Sequence, residues 1–437
     1  MSRRPGGTAP DGRRRAMVTG LGAITPSGLD VASLWDSVVH GRSAITRLTG
    51  PEFDGGPTRI GGLVRGFDPA GLLPRGEARR LSRSVLWAVA AADQAVTQSL
   101  GEPGRRAGDR GGEGPGPLPW DPERVDVLVA TASGPVEAMQ SATRAMDARG
   151  PRAVPLSLAM HGSPDAAASI LSRRYRIFGP AHAVSATCGS GAFALGEGLR
   201  SIRHGYADAV IVVGVEDCLN PVNLASDANL LALARGHDED PAAASRPFDR
   251  ARSGFVMSAG AAAVLLESEE SARARGVAPS AELAGFGGAN EAHHPTAPHP
   301  RGAGGERAVR ACLTDAGVGP GAVDHLNTHG TGTPAGDAAE LVALEAALGA
   351  RARRIPLTAT KSSTGHLLGA AGIVEAVLAV MTLRTGLVPP IRNLDDPEFD
   401  GWDYVTGAAR AAAPTSVLST SFGFGGHNGA VLFTSAG

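Results

Sequence analysis

A cysteine placed between a β-compatible run and a helical pattern is positioned for covalent chemistry. Val184-Ser185-Ala186-Thr187-Cys188-Gly189-Ser190-Gly191 is such a stretch. Ala181 to Ala186 reads as a strand, and Ala192, Leu195, Leu199 and Ile202 follow at helical spacing. Cys188 is therefore expected at a strand-to-helix turn, where the unpaired N–H groups and partial positive charge of a helix N-terminus favour a thiolate nucleophile. An isolated cysteine is more often a small buried core residue, so the case for catalysis depends on its company.

Three further stretches supply that company. Thr328-His329-Gly330-Thr331-Gly332-Thr333-Pro334-Ala335-Gly336-Asp337 and Lys361-Ser362-Ser363-Thr364-Gly365-His366-Leu367-Leu368-Gly369-Ala370-Ala371-Gly372 each set a histidine among small and hydroxylated residues. Ser421-Phe422-Gly423-Phe424-Gly425-Gly426-His427-Asn428-Gly429 is another glycine-rich segment. Glycines permit close backbone approach and hydroxyls donate hydrogen bonds, so such loops can cradle a polar ligand. Neither histidine stretch has the Gly-Lys-Ser/Thr ending of a phosphate-binding P-loop. One histidine alone is more often a satisfied structural residue, but four unusual loops in one chain reinforce each other. His293, His294 and His299 invite a metal-site reading, against which Pro295, Pro298 and Pro300 suit a shaped loop better than a ligand shell.

The elements that must position these loops alternate. Ala16 to Gly20, Val125 to Ala130 and Ala209 to Val213 read as buried strands, and Asp30 to His40, Leu72 to Val96 and Ala166 to Arg173 as helices. In the second half Ala261 to Leu266, Ala281 to Phe286, Asp324 to Thr328, Val417 to Ser421 and Ala430 to Thr434 read as strands. Glu306 to Ala316, Glu340 to Leu348 and Ile373 to Leu383 read as helices. This alternation predicts a layered α/β fold. Residues of about 101–119, dominated by glycine, proline and arginine, predict a surface loop insertion. Arg75, Arg79, Arg80 and Arg83 fall on one predicted helical stretch, as a solvated basic face would.

Composition sets the outer bounds. The 437 residues allow two or three average domains or one large fused fold. With 41 Lys and Arg against 43 Asp and Glu, the net charge of −2 demands neither nucleic acid nor an anionic membrane as partner. Cys188, Cys218 and Cys312 are odd in number and scattered, which fits a reducing, cytoplasmic setting, and no CxxC pair suggests structural zinc. Residues 1–15, rich in arginine, glycine and proline, read as a disordered basic leader without the apolar core of a secretory signal. No later apolar run approaches the roughly eighteen residues that cross a bilayer.

In this order and spacing the four loops resemble the β-ketoacyl-acyl-carrier-protein synthases, nearest the synthase II type of dissociated fatty acid and polyketide systems. The segments around Arg14 to Gly22, Ala244-Ser245-Arg246-Pro247-Phe248-Asp249 and His293 to Pro298 extend the resemblance from about Arg14 to Phe433. It implies an α/β, thiolase-like five-layered αβαβα sandwich of two similar halves, 16–267 with the nucleophile and dimer interface and 268–437 with two catalytic histidines. Cys188 then matches the acyl-accepting nucleophile, and His329 and His366 the pair that assists malonyl decarboxylation. Lys361 and Glu375 match an ion pair near the second histidine, and Thr331 and Thr333 the threonines that hold a phosphopantetheine arm. Phe424 matches a gating phenylalanine whose backbone N–H joins that of Cys188 in the oxyanion hole. Arg75, Arg79, Arg80, Arg83 and Arg235 fall where relatives meet an acidic carrier protein, and Leu156 to His161 where relatives line the acyl tunnel.

The implied activity is decarboxylative Claisen condensation. The implied partners are an acyl carrier protein and, as the other half of a dimer, a second copy or a chain-length-factor-like subunit. No metal or cofactor is implied beyond the carrier's own pantetheine. Three departures point to a specialised branch: Thr187 stands before the nucleophile where alanine is commoner, Ser258-Ala259 replace a glycine and an acidic residue, and Ser253 lacks an acid. Two other functions stay open here. A non-catalytic chain-length-factor-like subunit would usually lack the cysteine, and a non-decarboxylating acyltransferase would not need both histidines.

Overall fold

The structure is a computed structural model and describes residues 12–101 and 117–436. Among the described residues, ten strands form one mixed sheet. They are β1 (Ala16–Ile24), β2 (Val125–Ala130), β3 (Ala181–Val184), β4 (Ala209–Glu216), β5 (Gly260–Ser268), β6 (Ala281–Asn290), β7 (His325–Asn327), β8 (Leu357–Thr358), β9 (Ser416–Gly423) and β10 (His427–Thr434). From the middle outward, one half runs β1-β5-β4-β2-β3 and the other β6-β10-β9-β7-β8. In each, the first two pairings are antiparallel and the next two parallel. The two halves thus repeat one topology, which similar element order in the sequence only permitted. They join where β1 meets β6, antiparallel, through Ala16↔Leu283, Met17↔Glu282 and Val18↔Ala281.

Among the helices are α1 (Val31–Val39), α2 (Arg83–Ser99), α3 (Ala166–Tyr175), α4 (Ser190–Arg203), α5 (Pro221–Asn229), α6 (Ala303–Ala316), α7 (Pro334–Leu348), α8 (Lys361–Thr364) and α9 (Ala371–Thr385). Strand alternation explains the layering. In β4, Ile211 and Val213 face α2 and α3, while Val210 and Val212 face α4 and α9. A strand buried on both faces must be apolar throughout, as this one is. On the other half, Leu418 and Leu432 pack against Val309 of α6 and Leu344 of α7, while Val417, Val431 and Phe433 face the central helices. The order is helix, half-sheet, helix, half-sheet, helix, with the two halves of the one sheet facing each other across α4 and α9. α4 and α9 approach closely because neither carries a side chain where they meet: a Cβ on Gly191 would lie 2.8 Å from Gly372 Cα.

Several expectations are corrected. The helix expected from Leu72 to Val96 is broken: one turn spans Arg75–Ala78, and Ser82 then caps α2 by accepting from the Val85 N–H. The last three residues of the expected 1–15 leader, Arg13, Arg14 and Arg15, bind Asp315, Asp208 and Glu282 and so belong to the fold; residues 1–11 lie outside the described residues. Most of the expected insertion at 101–119 also lies outside them. Leu368–Thr385 is an 18-residue apolar stretch of mean hydropathy 1.5 after all, but 78 % of it is buried. A helix that is apolar all round belongs in a core, and α9 supplies the inner layer.

Candidate active site

Cys188 follows β3 and precedes α4, whose N-cap is Gly189. The turn is held by Ser190, whose Oγ accepts from the Ala186 N–H at 2.8 Å and lies 2.6 Å from the Thr187 carbonyl. Thr187 has φ of 51°, an uncommon conformation for a β-branched residue. The sulfur is buried and lines a cavity of about 330 Å³.

His329, His366, Thr331, Thr333 and Phe424 line the same cavity. The imidazoles of His329 and His366 meet edge to face with centroids 5.2 Å apart. His329 sits just beyond β7, where its N–H and that of Gly330 donate to the two oxygens of Glu340 at 2.7 and 2.8 Å. His366 follows α8; its N–H donates to the Val256 carbonyl, its own carbonyl accepts from Ser258, and its ring stands against Phe255. The hydroxyls of Thr331 and Thr333 lie 3.0 Å apart at the start of α7.

Lys361 is buried and pairs with Glu375 of α9. The sequence expectation set this pair beside the second histidine. The structure puts the Lys361 amine 3.3 Å from Nδ1 of the first, His329. An ammonium only donates, so His329 Nδ1 accepts and the neutral ring carries its proton on Nε2. Burial holds both histidines well below the ordinary imidazole value, and Lys361 pushes them the same way. Burial also lifts the Glu375 carboxyl to about 7 against the pull of Lys361.

The expected thiolate is not the resting state. Burial pushes the Cys188 thiol up to about 12; Asp227 and Glu216 act in the same direction, and Lys361 and the Phe424 N–H in the opposite one. Desolvation is the largest of these influences and outweighs the opposing charge of Lys361. The Phe424 N–H faces the sulfur, and the Phe424 ring packs against the core cluster containing Cys188.

Other candidates separate. Arg75, Arg79, Arg80 and Arg235 are exposed, but Arg83 is committed to buried Asp217 through bonds of 2.6 and 2.9 Å. Arg79, Arg80 and Arg83 line a second cleft with Leu158 and His161. Leu156 is exposed, so the segment expected along the tunnel does not line the Cys188 cavity. The rings of His293 and His299 meet edge to face with centroids 4.9 Å apart, and among the described residues no set of three or more potential ligands is arranged to hold a metal ion.

Three buried polar side chains were missed. Glu340 holds the His329 loop, and Asp337 accepts from Gly332 and Phe248 beneath it. Glu216 accepts from Ala132 and Gly369, tying the end of β2 to the loop after His366. Two acids one helical turn apart just after His-Gly-Thr-Gly-Thr-Pro were the available signal for the first two. Of the departures, Ser258 donates to the Thr364 carbonyl at 2.6 Å and so helps to seat the His366 loop, and Ser253 accepts from the Arg235 N–H.

Comparison with known proteins places this geometry in context. The β-ketoacyl synthase N-terminal domain matches residues 13–272 and the β-ketoacyl synthase C-terminal domain residues 280–395. The 3-oxoacyl-[acyl-carrier-protein] synthase 2 of Synechocystis sp. is 38 % identical over 427 residues, 96 % of this chain and 98 % of that protein. The synthase of the same name from Vibrio cholerae is 37 % identical over 96 % of this chain and 99 % of its own. Among solved structures, the ishigamide ketosynthase/chain length factor superposes with a TM-score of 0.86 at 29 % identity, covering 97 % of this chain and all of that one. A type II polyketide ketosynthase in complex with its acyl carrier protein, bound to the hexaketide, gives 0.85 at 27 % identity with the same coverage.

Proposed function

The chain belongs to the β-ketoacyl synthase family and is a condensing enzyme, and from that premise we propose which residues perform the condensation. The Cys188 sulfur attacks an acyl thioester; its proton leaves with the pantetheine thiol, and acyl-Cys188 remains. The tetrahedral oxyanion is met by the backbone N–H groups of Cys188 and Phe424, each worth about 2.7–4 kcal/mol when well placed. A malonyl thioester then enters. Loss of CO₂ leaves an enolate, and the Nε2–H of His329, with His366 beside it, stabilises the developing oxygen charge. The enolate carbon attacks acyl-Cys188, releasing a 3-oxoacyl thioester two carbons longer, and the sulfur regains a proton. No step calls for a cofactor held by this chain.

The observation that carries these assignments is the meeting of Cys188, His329 and His366 in one cavity, with Thr331 and Thr333 on its wall for the pantetheine arm. Exposed Arg75, Arg79, Arg80 and Arg235 are proposed to receive an acidic carrier protein through electrostatic complementarity. A second subunit of the same fold, identical or chain-length-factor-like, is proposed to cover the exposed Met139, Met146, Leu156 and Met160. A cytoplasmic setting belongs to the same proposal.

The test is mass spectrometry of the purified chain given acyl-carrier-protein thioesters, alone and with malonyl-carrier protein, beside Cys188→Ala. Acylation confined to Cys188 and a product two carbons longer are expected. Acylation without elongation would instead mean acyl transfer or a missing partner subunit, and no acylation with any donor a non-catalytic subunit.

A further inference from the structure

Thr187 does more than precede the nucleophile. Its hydroxyl lies 2.8 Å from the Phe424 carbonyl and 2.8 Å from the Ala186 carbonyl. A hydroxyl has one proton to give, so it can serve the loop or its own turn, but not both fully. Gly423, just before Phe424, lies directly on this side chain: a Cβ there would come within 2.2 Å of Thr187 Oγ1. The far end of the segment Gly423–Gly426 is bound elsewhere, Gly425 N–H to the Pro295 carbonyl at 2.7 Å and Asn290 Nδ2 to the Gly425 carbonyl at 2.8 Å. Thr187 is thus the contact that draws Phe424 itself onto the cysteine elbow.

We propose that Thr187 is a latch and a positioning residue: its hydroxyl holds the Phe424 segment where the Phe424 N–H faces the Cys188 sulfur, and releases it by turning to the Ala186 carbonyl. The second acceptor makes release inexpensive, because the donor is never left unpaired. Alanine at this position has no hydroxyl and could not form the latch. The left-handed φ of Thr187 aims the hydroxyl across the gap, which accounts for an uncommon conformation at the residue next to the nucleophile.

The proposal builds on the condensing role of Cys188, so its test includes a measurement that needs no substrate. Thr187→Val keeps the shape and removes the hydroxyl, whereas Thr187→Ser keeps the hydroxyl. In hydrogen–deuterium exchange, the peptide spanning 423–427 is expected to exchange about five- to tenfold faster in Thr187→Val than in the parent, the worth of one hydrogen bond, with Thr187→Ser close to the parent. With thioesters, acylation of Cys188 by Thr187→Val is expected to slow about tenfold, while malonyl decarboxylation, which rests on the histidines, stays within about twofold. Equal exchange in parent and Thr187→Val, equal loss of protection in the serine variant, or a parallel fall of acylation and decarboxylation would each overturn the latch. If the parent itself takes up no acyl group, the condensing role fails and exchange alone still decides the latch.

Discussion

The thiol of Cys188 and the imidazoles of His329 and His366 owe their resting protonation states to one cause, removal from water. Each is held in its neutral form, the cysteine upward and the histidines downward from their ordinary values. Alkylation of Cys188 by iodoacetamide is therefore expected to rise about tenfold per pH unit from about pH 7 to about pH 9, as the small thiolate fraction grows. A plateau in that interval would mean that Lys361 and the helix end already ionise the sulfur. Replacing His329 or His366 by alanine is expected to cut malonyl decarboxylation by about 10²–10⁴ while leaving acylation of Cys188 measurable, since only the enolate uses these rings. Radiolabelled CO₂ release and mass spectrometry separate the two steps. The four residue stretches that meet here were legible as letters. That Lys361 serves His329, and that Glu340 supports it from a later helix, depended on which loops fold against each other.

Among the elements, β7 carries an internal conflict. His325 is buried with neither ring nitrogen hydrogen-bonded among the described residues. Burial lowers it from 6.5 to about 3. Below about pH 6.5 the unfolded chain binds a proton that the folded chain refuses, so this stability is complete above that pH and drains away toward pH 3. His325→Leu is expected to stabilise the fold by about 1–3 kcal/mol near neutral pH and by more near pH 5, read from urea midpoints. Lys361 and Glu375 join α8 to α9 by a buried ion pair. Lys361→Met alone should cost about 3–5 kcal/mol by stranding the carboxylate, and adding Glu375→Leu should restore most of the stability without restoring condensation. Chemical denaturation and product assay together decide this. At this scale the sequence was readable where apolar periodicity ran unbroken, as in β2 and α3. It misled at 79–82, where the helical look ran on across a turn and α2 begins afresh at its Ser82 cap.

The two halves of the molecule share one core. Leu195 and Leu199 of the first half interlock with Ile373 and Val377 of the second, and Val431 and Phe433 close the same cluster. Arg203 reaches across to Asp315, and Arg15 to Glu282. Neither half can keep its inner face dry alone, so unfolding in urea is expected as a single transition. Tryptophan fluorescence, from Trp35, Trp87 and Trp120 in one half and Trp402 in the other, should coincide with circular dichroism; two separated steps would mean that the halves are independent domains.

Local pattern alone determined most strands and helices of this protein, its four glycine-punctuated loops and the chemistry their side chains permit, because these follow from the period of the backbone and the functional groups it carries. Tertiary structure alone decided that the halves repeat one topology, that Arg83 is spent on Asp217, that Cys188 rests as a thiol, and that Thr187 touches Phe424. Those facts depend on burial and on contacts between residues hundreds of positions apart, which no local pattern encodes.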